Sequence, residues 1–102
     1  MNPYPRDSDL EKIEKWEWND PKGLIEYIRS LWWMPYWGFK LKGKKVLLLE
    51  LSTGGWSGNE DIIRALQNTG FWMLYWEQSR RGGHYRFKVR PIKKEIGERR
   101  KR

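Results

Sequence analysis

FWMLYWEQSRRGGHYRFKV, residues 71–89, decides how the rest of the chain is arranged. Two runs rich in Trp, Tyr, Phe and Val flank Arg80-Arg81-Gly82-Gly83, where glycine can take the positive φ of a tight hairpin turn. The stretch therefore predicts an aromatic β-hairpin. A loop with an even number of residues pairs odd positions with even ones. Trp72, Leu74 and Trp76 then share a face with Tyr85, Phe87 and Val89. The opposite face carries Met73, Tyr75, Glu77 and Ser79 beside His84, Arg86, Lys88 and Arg90. An odd loop mixes apolar with basic positions on both faces, so alternation favours the even choice. One side of the ribbon is expected to meet a core, and the other to be basic and partly aromatic.

Upstream of this ribbon, Asp20-Pro21 marks a helix start, with Asp as N-cap and Pro at the first helical position. Leu24, Ile25, Ile28, Leu31 and Trp32 give one apolar stripe running to about Trp33, and Pro35 stops it. Before it, Leu10, Ile13 and Trp16 keep a three-residue spacing that suits a short helix. From Tyr36 the period changes to two. Trp37, Phe39 and Leu41 alternate with Gly38, Lys40 and Lys42, the pattern of a half-buried strand. Gly43-Lys44 turns the chain into a second strand over residues 46–52, with Leu47, Leu49 and Leu51 on one face. Leu48 on its other face suggests a central place in the sheet.

A second helix is expected from Ser57, which stands at capping-box spacing from Glu60. Ile62, Ile63, Ala65 and Leu66 give its buried stripe, and Gly70 its stop. The order helix, hairpin, helix, hairpin predicts an α+β fold: a four-stranded, largely antiparallel sheet with two helices on one face. The domain is expected over residues 10–92. Residues 1–9 read as a flexible lead and residues 93–102 as a disordered basic tail.

The chain of 102 residues suffices for one domain, burying roughly 60–70% of the surface its unfolded form exposes. Eight Trp among sixteen aromatics supply large core blocks, on the order of 200 Å² each. With no Cys and one His, disulfides, thiolate metal sites and the usual zinc arrangements are excluded, and no cofactor is expected. The opening MNPYPRDSD lacks a signal-peptide pattern, and the longest apolar runs are far below the ~18 residues of a membrane span. An intracellular, cytoplasmic protein is expected.

The net charge of +8 is uneven: −3 over residues 1–20, +2 over residues 21–78 and +9 over residues 79–102. A strongly basic end points to a polyanion. The candidate nucleic-acid face comprises Lys40, Lys42, Tyr75, His84, Arg86, Lys88 and Arg90, joined by Arg80 and Arg81 of the turn and by the tail. Lys and Arg at every second residue of adjacent strands can follow a phosphate backbone, and Tyr75 can stack an unpaired base. DNA and RNA are not distinguished, and little sequence preference is expected.

Two other features compete. The Gly-rich loop over residues 54–59 lacks the Lys-Ser/Thr pair of a phosphate loop, and Glu60 and Asp61 place negative charge at the helix start. Trp56, with Ser57 and Asn59, reads instead as an anchor for a protein partner. His84 is the one side chain suited to acid–base work near neutral pH, with Ser57, Glu50 or Glu77 as conceivable neighbours. A small-ligand or catalytic site there is the third reading, with no catalytic residue assigned. An exposed outer strand leaves both monomer and dimer open.

Overall fold

A computed structural model of the chain describes residues 4–91. Three helical segments come first: α1 (Asp7–Glu14), α2 (Pro21–Leu31) and the single turn α3 (Pro35–Gly38). Strands β1 (Phe39–Lys42) and β2 (Leu47–Ser52) follow, then α4 (Ser57–Leu66), α5 (Gly70–Tyr75), β3 (Trp76–Arg80) and β4 (His84–Val89). The four strands form one antiparallel sheet in the order β1-β2-β4-β3. The expected α+β class and four-stranded sheet are therefore present, with β2 and β4 central.

Helix α2 starts as its sequence dictates. Asp20 accepts a hydrogen bond from the Gly23 N–H at 3.1 Å, and Pro21 occupies the first turn, where its missing N–H costs nothing. Leu24, Ile25 and Ile28 of α2 and Ile62, Ile63, Ala65 and Leu66 of α4 are buried together with Leu47, Leu49, Leu51, Phe87 and Val89 of the sheet. Each of these Leu, Ile, Val and Phe side chains contributes roughly 1.5–3 kcal/mol by leaving water. Helix α1 adds a third layer element on α4 through the fully buried Ile13, and Asn68 donates to Glu14 at 3.1 Å. The lead expected over residues 1–9 therefore ends early. Asp9 accepts from the Arg6 backbone N–H at 2.9 Å and starts the helix at Asp7. The basic tail expected over residues 93–102 lies outside the described residues.

The aromatic ribbon departs from expectation in its first half. Residues 70–75 are helical, and the strand begins only at Trp76. Thr69 caps the turn by accepting from the Trp72 N–H at 3.2 Å, so Gly70 opens a helix rather than closing one. Phe71 and Tyr75, one helical turn apart, are buried and meet edge to face at 5.2 Å, and Phe71 lies 5.4 Å from Phe87. Met73 and Leu74 point outward. Trp72 leaves the expected strand row but still packs on Phe87, at 5.3 Å.

The loop parity is also resolved in an unexpected way. Arg80 pairs with His84, leaving the odd loop Arg81-Gly82-Gly83, with φ of 94° and 80° at its glycines. An irregularity between Trp76 and Gln78 then shifts the register by one, so that Trp76 faces Phe87. A bulge at Glu77 thus restores the alternation that the three-residue loop breaks. At the far end of the hairpin, the Gly83 carbonyl accepts from the Thr53 N–H at 2.9 Å, and a Cβ on Gly83 would collide with Thr53 Oγ1.

The segment before β1 is the other revision. Met34 adopts φ 60°, ψ 55°, and Pro35 begins a helical turn instead of merely ending α2. Residues 36 and 37 are therefore not in a strand, and Trp37 stands 53% exposed rather than on the core face. The capping box expected between Ser57 and Glu60 is absent: Trp56 is the N-cap residue and no side chain caps the helix.

Candidate nucleic-acid interface

The face of the sheet turned away from α2 and α4 is built from three cross-strand rows. Ser52, His84 and Arg80 form the first, and Lys40, Glu50, Arg86 and Gln78 the second. Lys42, Leu48 and Lys88 form the third. Antiparallel register therefore brings Lys40, Lys42, Arg80, His84, Arg86 and Lys88 to one surface, although they come from three strands.

Charge on that surface is not uniform. Arg86 Nε lies 3.9 Å from both Glu50 Oε2 and Glu77 Oε1, so the central row is close to neutral. All three side chains are roughly two-fifths exposed, and pairs of this kind contribute about 0–1 kcal/mol. The other cations of this face are Lys42 and Lys88 in the third row, Arg80 in the first and Lys40 at the edge of the central row. No ion pair forms at any of these four among the described residues.

Two adjoining hollows of about 260 and 300 Å³ share Glu50, Ser52, Arg80 and His84 as lining residues. Gln78 and Arg86 close the first, and Trp37 and Lys40 the second. They form one groove across the Ser52 end of the sheet. Within it, His84 Nδ1 stands 2.8 Å from Ser52 Oγ. The hydroxyl partner of His84 is thus Ser52, not Ser57, which is exposed at the start of α4. Among the described residues no carboxylate hydrogen-bonds to His84, so the pair lacks the orienting third group of a nucleophile–base constellation.

Trp37 reaches the groove through the turn that carries it. A Cβ on Gly54 (φ 63°) would stand 2.9 Å from Trp37 Cζ3 and 3.2 Å from Trp56 Cδ1, so both indoles flank bare backbone there. Trp33 meets Trp56 edge to face at 5.6 Å. Asn59 ties the base of this cluster together. Its Oδ1 accepts from the Trp33 N–H at 2.8 Å, and its Nδ2 donates to the carbonyls of Trp33 at 3.0 Å and Thr53 at 3.4 Å.

Several expected site residues lie elsewhere. Tyr75 is 7% exposed within α5, where burial raises its hydroxyl pKa, and it offers no stacking surface. Asn59 is 1% exposed and serves the fold rather than a partner, whereas Trp56 remains exposed. Arg90 lines a separate hollow of about 620 Å³ with Lys22, Lys44 and Lys45, and Arg81 is exposed in the hairpin turn. Conversely, Trp37, Ser52 and Gln78 line the groove without having been singled out. For Ser52 the signal was present, since it continues the outward positions Leu48 and Glu50. For Trp37 it was the proline two residues earlier, which suits a first helical turn as well as a stop.

Among the described residues no group of three or more His, Asp or Glu side chains is placed to hold a metal. Nor is any helix among them long and apolar enough to cross a membrane. Comparison with protein-family models, with curated proteins and with solved structures found nothing that matches this chain.

Proposed function

We propose that the open face of the sheet binds nucleic acid through its phosphate backbone, with little sequence preference. One observation carries this reading: Lys40, Lys42, Arg80 and Lys88 share a single surface around a groove on the sheet, and none of the four forms an ion pair among the described residues. Cations so arranged neutralise successive phosphates and release condensed counterions, which makes affinity steeply salt-dependent. Phosphate contacts set position and carry no base information, so low specificity follows. Arg86 is the weaker ligand, because Glu50 and Glu77 already hold it.

The test is the double reversal Lys42→Glu/Lys88→Glu, read by fluorescence anisotropy on labelled oligonucleotides between about 50 and 200 mM salt. Both residues lie outside the groove lining, so a change reports charge rather than groove shape. Binding is expected to weaken on every sequence, and the slope of log K against log salt to shrink by about one to two. Unchanged affinity and slope refute the sheet face as the site.

A further inference from the structure

Resting on that reading, we infer that the groove takes nucleic acid as a single strand, with one base stacked on the Trp37 indole. Three observations converge. Trp37 is 53% exposed although one edge of its ring rests beside Gly54 and Trp56, so the ring is positioned and yet largely bare. Its carrier is well defined: Met34 in the left-handed region, then Pro35 fixing the first residue of α3, with Asn59 anchoring the adjacent Trp33 backbone. The same hollow is lined by Trp37, Lys40, Arg80, Ser52, His84 and Glu50, which sets an aromatic platform beside two cations and a polar pair, with the Glu50 carboxylate turned toward Arg86.

That combination discriminates between forms of nucleic acid. In a duplex the base faces are already stacked on one another, and only edges and backbone are presented to a protein. An aromatic platform gains nothing from a duplex but takes up an unstacked base of any identity, because every base has a π-face. Lys40 and Arg80 then meet the flanking phosphates. Sequence preference stays low, and strandedness becomes the selected property.

The experiment compares the intact chain with Trp37→Ala and Trp37→Phe on oligothymidylate and oligouridylate single strands and on a mixed-sequence DNA duplex. The Lys42→Glu/Lys88→Glu chain serves as the charge control. Trp37→Ala is expected to weaken single-strand binding roughly 5- to 150-fold, with duplex binding unchanged. Trp37→Phe, which retains a ring, is expected to recover most of the loss. A loss on either sugar supports the inference and names the preferred strand. A single-strand change under about twofold, or an equal loss on the duplex, overturns it. If the charge control still weakens binding in that case, phosphate recognition stands and only the stacking role falls. If neither variant matters, the functional reading itself fails.

Discussion

Replacing Asn59 by Ala tests the account of how the groove is held. Asn59 is 1% exposed and makes three hydrogen bonds, accepting one from the Trp33 N–H and donating one each to the Trp33 and Thr53 carbonyls. Truncation leaves a backbone N–H and two carbonyls facing a methyl group. An unsatisfied buried group costs about 1–3 kcal/mol, whereas the Thr53 bond at 3.4 Å is long and contributes little. The two Trp33 groups sum to about 2–6 kcal/mol, toward the lower end because both are only part-buried, and that is a large share of the stability of a domain this size. Urea unfolding followed by far-ultraviolet circular dichroism measures it, with a lower midpoint and an unchanged slope. The isosteric Asn59→Asp sharpens the test. It keeps the acceptor for the Trp33 N–H but turns a second oxygen toward two carbonyls. Burial disfavours the charged carboxylate, so the penalty grows as pH rises and eases as the group protonates and regains a donor. A loss under about 0.5 kcal/mol for Ala, or a wild-type midpoint for Asp at pH 7, refutes the clamp.

Two further outcomes are expected. Gly55 and Gly83 have nearly the same φ, 78° and 80°, yet a Cβ on Gly55 meets open space while one on Gly83 strikes Thr53 Oγ1. Gly55→Ala should therefore lower stability by about 1 kcal/mol for conformation alone, and Gly83→Ala by clearly more, with equal denaturation midpoints as the contrary result. The Asp9 carboxyl is held below its ordinary 3.8, first by the hydrogen bond from the Arg6 backbone N–H, then by the Tyr27 hydroxyl and Arg6 side chain, against some desolvation. A lowered folded value means its contribution is complete above 3.8 and disappears as pH falls through the folded value. Asp9→Asn should flatten the acid limb of the stability profile, and an unaltered limb counts against the assignment.

The parts legible in the sequence were those in which several successive residues carry one pattern. Asp20-Pro21 and the stripe of Leu24, Ile25 and Ile28 specify α2 locally, because cap, proline and period all favour the same conformation. Strict alternation over Leu47, Leu49 and Leu51, and over Tyr85, Phe87 and Val89, specifies two faces whatever the strand order. The basic positions Lys40, Arg86 and Lys88 follow from that same alternation and share the open face. Residues 71–75 are different: Phe-Trp-Met-Leu-Tyr satisfies a period of two and of 3.6 alike, being apolar throughout. The Thr69 cap and the Phe87 ring against Phe71 settle it as helix, which buries Tyr75. Asn59 and Trp37 exchange their expected places for a related reason. A short polar or aromatic side chain beside a turn goes inward or outward according to which backbone groups lie opposite it. Those groups, the Trp33 amide and the bare Gly54, arrive from 26 and 17 residues away. Only the folded chain brings them together, because nothing in a local window records what will face it.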